Sequence, residues 1–257
     1  MTHGTAMLAR DPHEHVSIQS YARLAGVLGM ISIIAGGFGE AYAPGVVFVA
    51  GDPTATAQHI LGHESLFRWG FAGYLVEALC DATLTMVFWV LVRPVHARLA
   101  MLMVVFRIIS TCGFAASEVL YFGALQTLRS AQTVSALQPG QMQALAYILL
   151  RIAAFGGSLF STFYGAANIV FGWLIYRSGY IPRIFGVGML FTGVAFVVHT
   201  FLLILTPAYA SDLLLATAAV AFIPLILWLL VKGVNEEAWG RAVRAALRPT
   251  ECHGSIR

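Results

Sequence analysis

The chain has 257 residues, of which 59% are hydrophobic and only 11% are charged. Soluble domains carry roughly 25% charged residues, so this composition excludes a soluble globular domain and predicts an integral membrane protein. The formal net charge of +3 is small, and no basic–aromatic surface motif is present. We therefore predict the lipid bilayer as partner and no nucleic acid.

The N-terminal residues 1–20 are polar and lack the apolar core of a cleavable signal peptide. We predict a disordered cytoplasmic tail there, followed by an uncleaved signal-anchor helix. Cys80 and Cys112 fall within apolar runs and Cys252 in the C-terminal tail, so no disulfide framework is expected.

Six apolar runs are each long enough to cross a hydrocarbon core of roughly 30 Å as a helix. They cover residues 21–43, 67–92, 99–125, 144–176, 184–206 and 212–231. We predict an all-α fold, a polytopic six-helix transmembrane bundle of three hairpins over residues 21–233. The second helix of each hairpin closes with tryptophan and a cation four residues later. Three stacked hairpins would produce this pattern, and so would an interfacial tryptophan belt with cytoplasmic cations.

The basic residues predict an orientation. Eleven of the fifteen lysines and arginines fall in the two tails, at the adjoining helix ends (Arg23 and Lys232) and in the turns at 93–98 and 176–183. By the positive-inside rule, both termini and the turns at Pro94 and Tyr180 are cytoplasmic. Gly51 and Ser135 then face outward, in a bacterial inner (plasma) membrane.

Two short helices are predicted outside the spans. Asp52 is a good N-cap and Pro53 a good first residue for a helix that ends at about Leu61, over the outer mouth of the bundle. In the tail over residues 234–257, Asn235 caps an amphipathic helix. One face carries the basic residues Arg241, Arg244 and Arg248. The opposite face carries the apolar residues Trp239, Val243 and Leu247. This pattern predicts an interfacial helix on an anionic leaflet.

A carboxylate in the middle of a bilayer costs at least about 2.5 kcal/mol, so polar residues within the spans must face the bundle interior. Counted from the inner basic residues, Asp81 and Arg107 lie at similar depth on neighbouring helices. We predict that they form a structural ion pair with Asn168 within reach.

A second polar group lies nearer the outer side. Glu40, Glu77 and His199 fall at one depth and Glu118 slightly beyond, so a proton or a cation is needed to relieve the repulsion between the acids. A water-filled vestibule with solvated acids is the alternative. The predicted ligand- or ion-binding residues are Glu40, Glu77, Glu118, His199, Arg68, Arg151 and Tyr147.

The loop before the second predicted span contains residues that could form a metal site. His59 and His63 are one helical turn apart, a spacing that chelates zinc, and Glu64 follows them. No nucleophile–base pair, phosphate-binding glycine loop or redox motif appears, so no catalytic residue and no cofactor is predicted.

Four segments together resemble a bacterial membrane family known as domain of unknown function 4386. They are GDPTATAQHIL with SLFRWGF, LCDATLTMVFWVLVRPV, the Phe106–Arg107 pair and IYRSGYIPRIFG. The resemblance covers about residues 21–234. It implies a multi-helix inner-membrane protein and supplies no activity, cofactor or catalytic residue.

Three functions remain open at the level of sequence. The first is a bundle with an outer-facing polar cavity that binds or moves a small cation, a proton or a polar metabolite. The second is a non-catalytic membrane assembly or envelope-stress protein. The third is an intramembrane metal-dependent hydrolase built on the loop histidines. Sequence predicts neither the substrate nor the oligomeric state.

Overall fold

The computed structural model describes residues 17–130, 137–211 and 213–247. The tail was predicted over residues 1–20; its residues 1–16 lie outside the described residues, and α1 already begins at Ile18. The outward position of Ser135 and the chain from Arg248 onward also lie outside them. Within them the helices are α1 (Ile18–Gly36), α2 (Ala43–Val47), α3 (Pro53–Gly62), α4 (Glu64–Val92), α5 (Ala97–Ser130), α6 (Pro139–Ser178), α7 (Arg183–Leu205), α8 (Leu213–Val231) and α9 (Glu236–Leu247). A π-helical turn, Gly37–Tyr42, joins α1 to α2 without a break.

In the described ranges, six helices are long and apolar enough to cross a membrane. They are α1 with α2, α4, α5, α6, α7 and α8. Their polarity is inverted relative to a soluble protein, because Leu79, Ile184 and Val220 are 72–77% exposed whereas Arg107 and Asn168 are 1% exposed. The six predicted spans are confirmed as helices, and apolar side chains face the surroundings.

The spanning helices form a closed ring in chain order. Each of α4 to α7 packs on the next helix in the chain, while α8 packs on α1 and α1 on α4. Helix α7 therefore lies across the ring from α4. A ring of six helices leaves room for side chains, or for a chamber, along its axis.

The two ends of the bundle are filled by separate apolar cores. One core, around Leu91, Ile175 and Leu229, fills the end at which α1 begins and α8 ends, here called the tail end. A smaller core, around Ile60 and Phe67, fills the end that carries α2 and α3, here called the loop end. The polar residues of the spans lie between these two cores.

The tail end is tied together by hydrogen bonds. Gly179 ends α6 with a φ of 71° in the left-handed region, and the turn inserts Tyr180, which is 3% exposed. The Tyr180 hydroxyl donates to the Leu91 carbonyl at 2.6 Å, and burial raises the pKa of this phenol. Gln19 bridges α1 to the chain after α8, donating to the Lys232 carbonyl at 2.8 Å and accepting from Val234 at 3.1 Å.

Both short helices are present. Asp52 caps α3 by accepting from the Ala55 amide at 2.9 Å, and Asn235 caps α9 by accepting from the Ala238 amide at 2.9 Å. Trp239 of α9 packs on the tail-end core, whereas Leu247 is exposed. Only part of the predicted apolar face of α9 is therefore left for a lipid surface.

Candidate functional site

An ion pair lies between the two apolar cores. Arg107 Nη2 donates to Asp81 Oδ1 at 2.9 Å, and Arg107 Nε donates to the Thr85 hydroxyl at 2.9 Å. The Thr85 hydroxyl in turn donates to the carbonyl of Asp81 at 2.8 Å, which fixes it on α4. The structure thus brings Asp81 and Arg107 into contact, and a charge-assisted hydrogen bond compensates the burial of the guanidinium.

Aromatic rings complete the surroundings of this guanidinium. Arg107 Cζ lies 5.5 Å from the centre of the Phe88 ring and 5.0 Å from that of Tyr164, both within cation–π range. Asn168 is 1% exposed, but neither atom of its amide has a hydrogen-bond partner among the described residues. The structure therefore does not bring Asn168 into the pair by hydrogen bonding.

The π-helical turn determines where Glu40 lies. A π-helical turn widens the helix and changes the angular position of the residues it contains, and such turns are frequent at functional sites. Glu40 falls within this turn, and Glu77 lies on the neighbouring helix α4. A Cβ atom on Gly36 would collide with the Glu77 carboxyl group. The glycine at position 36 therefore provides the space that this carboxyl group occupies.

The carboxyl groups of Glu40 and Glu77 interact directly with each other. Glu77 Oε2 is buried and has no hydrogen-bond partner in the described part of the chain. Two adjacent carboxylates repel, so a proton or a cation is needed to neutralise such a pair. Asp81, one turn further along α4, already has Arg107 as its counter-charge.

These side chains border a chamber with two lobes. The first lobe has a volume of about 310 Å³ and is bordered by Glu40, Glu77 and Asp81, with no lysine, arginine or histidine among its lining residues. The second lobe has a volume of about 690 Å³ and is bordered by Glu40 and Glu118. Both lobes share Glu40, Phe114, Ser161 and Phe196. The chamber is therefore acidic throughout.

The second lobe extends toward the loop end. Pro44 and Phe48 border it there, and Tyr121 borders it from α5 beside Glu118. The Tyr121 side chain is 8% exposed, and its hydroxyl has no hydrogen-bond partner among the residues described. Tyr74, which is 4% exposed, lines the first lobe. Each lobe thus combines carboxyl groups with a buried phenol.

The other predicted binding residues lie elsewhere. Tyr147 accepts a hydrogen bond from the Gly51 amide at 2.8 Å and so anchors the loop before α3. Arg68 donates to Glu64 at 2.7 Å, at the loop end. Arg151 is exposed on α6, and His199 on α7 is 3% exposed and is not a lining residue of either lobe. Glu40, Glu77 and Glu118 line the chamber, and these four residues do not.

The loop histidines make local contacts. Nδ1 of His59 lies 3.2 Å from the Val46 carbonyl, and Nδ1 of His63 lies 3.0 Å from the carbonyl of His59. Glu64 forms ion pairs with Arg68 and Arg129, at 2.7 and 3.4 Å. Among the described residues, no group of three His, Cys, Asp or Glu side chains is arranged to hold a metal ion. The metal hypothesis thus has no third ligand in this part of the chain.

A family model described as a domain of unknown function (DUF4386) matches residues 24–233. The chain belongs to this family. The match runs through all six spanning helices, so the DUF4386 region contains the whole chamber, and α9 lies beyond it. No curated protein and no solved structure matches the chain. The resemblance seen in the sequence is confirmed, and the family description names no activity.

The aromatic side chains of the chamber were not predicted as site residues. Phe114, Tyr164 and Phe196 look like ordinary apolar residues of a membrane span, because rings at helical spacing occur on every face of such helices. Tyr74 carried a usable signal, since it precedes Glu77 by three residues and shares its helix face. A tyrosine one turn from an intramembrane acid is therefore a candidate site residue.

Proposed function

We propose that this membrane protein binds a positively charged ligand in its central chamber, with Glu40 and Glu77 as the counter-charge. The observation that carries the proposal is that these two interacting carboxyl groups line one lobe, which has no basic lining residue. A cation between them would replace electrostatic repulsion by attraction. Asp81 and Arg107 are then the fixed, neutralised part of the same layer.

Cation-dependent stability tests this proposal. A ligand that binds only the folded protein stabilises it by about 2.7 kcal/mol at a concentration of 100 times Kd. Thermal melts of the purified protein in neutral detergent would be recorded with increasing Li⁺, Na⁺, K⁺, ammonium or methylammonium at constant ionic strength. We expect at least one of these cations to raise the melting temperature of the wild type by several degrees.

The variant Glu77→Gln keeps the size of the side chain and removes its charge, so we expect it to lose the cation effect. Glu237→Gln is the matched control, because Glu237 is 91% exposed on α9, far along the chain from the chamber. An identical response of Glu77→Gln and wild type, or no response of the wild type to any cation, contradicts the proposal.

We also propose that the tail end faces the cytoplasm of a bacterial plasma membrane. The support is the positive-inside rule together with two stacked pairs at this end. Arg93 lies 4.9 Å from the ring centre of Trp89, and Arg177 lies 5.7 Å from that of Trp173. Tryptophan beneath a cation is typical of a helix end at the membrane–water interface. In this orientation the second lobe extends toward the outer side.

A further inference from the structure

The first lobe of the chamber has aromatic walls as well as carboxyl groups. Tyr74 and Phe114, from α4 and α5, form one ring pair with centres 5.7 Å apart. Tyr164 and Phe196, from α6 and α7, form a second pair, also 5.7 Å apart. All four side chains line the lobe. Carboxyl groups beside aromatic faces are the combination that recognises organic cations.

The protein already holds one organic cation in this way. The guanidinium of Arg107 is paired with Asp81 and lies over the rings of Phe88 and Tyr164, 5.5 and 5.0 Å from their centres. One turn away along α4, Glu77 and Tyr74 present the same two kinds of group. Here the counter-charge to Glu77 is not supplied by a lining side chain.

Two buried polar atoms also point to a ligand that donates hydrogen bonds. Tyr74 is 4% exposed and lines the lobe, and its hydroxyl has no hydrogen-bond partner among the described residues. This phenol interacts electrostatically with four carboxyl groups, those of Glu40, Glu77, Asp81 and Glu118. Glu77 Oε2 is the second such atom. Buried polar groups are normally satisfied. The carboxylate oxygen needs a donor, and the phenol, which can donate and accept, needs at least one partner.

We propose that the ligand is a protonated amine with an apolar body. Its N–H groups donate to Glu77 and to the Tyr74 hydroxyl, and its apolar body lies between the aromatic pairs. The lobe volume of about 310 Å³ fits a small organic molecule, whereas one water-sized species takes only about 30 Å³. This inference rests on the proposed function and names its ligand class.

Three probes of wild-type protein test the ligand class. They are 2-phenylethylammonium, its neutral analogue 2-phenylethanol, and Na⁺, each titrated against the protein in a maltoside detergent that carries no ammonium group. We expect 2-phenylethylammonium to raise the melting temperature at concentrations at which the other two have no effect. The comparison uses one protein and therefore requires no variant to fold.

Variants then locate the binding. We expect Glu77→Gln to weaken 2-phenylethylammonium binding by at least about tenfold and Tyr74→Phe by several-fold, since the latter keeps the ring and loses the hydroxyl. Phe114→Leu keeps an apolar wall and loses the ring face, so about a threefold to tenfold loss is expected. Glu237→Gln should bind like the wild type.

The outcomes separate the two proposals. Stabilisation by Na⁺ but not by the amine overturns the amine inference and leaves the cation proposal standing. Equal stabilisation by 2-phenylethanol overturns the amine inference, because it shows an apolar cavity that is indifferent to charge. No response to any probe, together with no response to the inorganic cations and methylammonium, overturns both.

Discussion

Two acids of one helix have different environments although they are only four residues apart. Asp81 faces Arg107, whose guanidinium also contacts Thr85, so its charge is balanced within the protein. Glu77 faces Glu40 instead. Helix α5 places the cation Arg107 beside Asp81, whereas the π-helical turn places the acid Glu40 beside Glu77. One face of α4 therefore carries both a structural ion pair and a candidate binding pair.

The Asp81–Arg107 pair yields a prediction about stability. Arg107→Ala removes one partner of a buried pair and leaves Asp81 without its cation, which typically costs 3–5 kcal/mol, so we expect a loss of about 3 kcal/mol or more. The double variant Asp81→Asn with Arg107→Gln carries no unpaired charge and should recover part of that loss. Thermal melts of the three proteins in one detergent measure both effects.

Arg241→Ala is the control for this experiment. Arg241 lies 4.0 Å from Glu237, and both side chains are mostly exposed, so its removal should change stability by less than about 1 kcal/mol. If the single and double variants at positions 81 and 107 melt like the wild type, the buried pair makes no net contribution.

At the scale of elements, glycines set the spacing of α6 and α7. A Cβ atom on Gly172 would lie 2.6 Å from the Gly186 carbonyl oxygen, and one on Gly186 would lie 2.7 Å from the Gly172 carbonyl oxygen. Both contacts are with backbone, which cannot rotate away as a side chain can. Close approach through small residues is a common way for membrane helices to associate.

This packing predicts that Gly172→Ala is destabilising. The added methyl group forces α6 and α7 apart, and overpacking of this kind typically costs about 1–3 kcal/mol. Gly140→Ala, in the same helix, meets no atom within 4 Å, so it should be neutral or slightly stabilising. Detergent melts of both variants check this. Equal melting temperatures would show that the helices separate without cost.

The elements themselves could be predicted because their signals are local. The membrane-spanning helices follow from the length of the apolar runs. Helix α3 begins at Pro53 directly after Asp52, whose side chain is a typical N-cap. The π-helical turn could not be predicted in the same way. It has no residue signature comparable to a helix cap, and the sequence around Glu40 shows closely spaced glycines.

At the scale of the whole molecule, the ring determines which acids meet. Helices α1 and α4 are neighbours, so Glu40 and Glu77 can interact. Helix α7 borders the chamber through Phe196, whereas His199, three residues later, lines neither lobe. Counting residues from the helix ends gives a depth in the membrane but not an angle around the bundle axis. The depth of His199 therefore did not determine whether it lines the chamber.

The proposed orientation of the whole molecule can be tested at two exposed positions, one at each end of the bundle. Tyr180 is buried, so the tail end is best probed at Ala97, and the loop end at Ala50, next to Gly51. Each would be replaced by cysteine in a background in which Cys80, Cys112 and Cys252 are alanine. By the positive-inside rule, we expect a membrane-impermeant maleimide added to intact cells to label Ala50→Cys at once and Ala97→Cys only after permeabilisation. The reverse pattern would invert the orientation, and labelling of both in intact cells would contradict an odd number of spans between them.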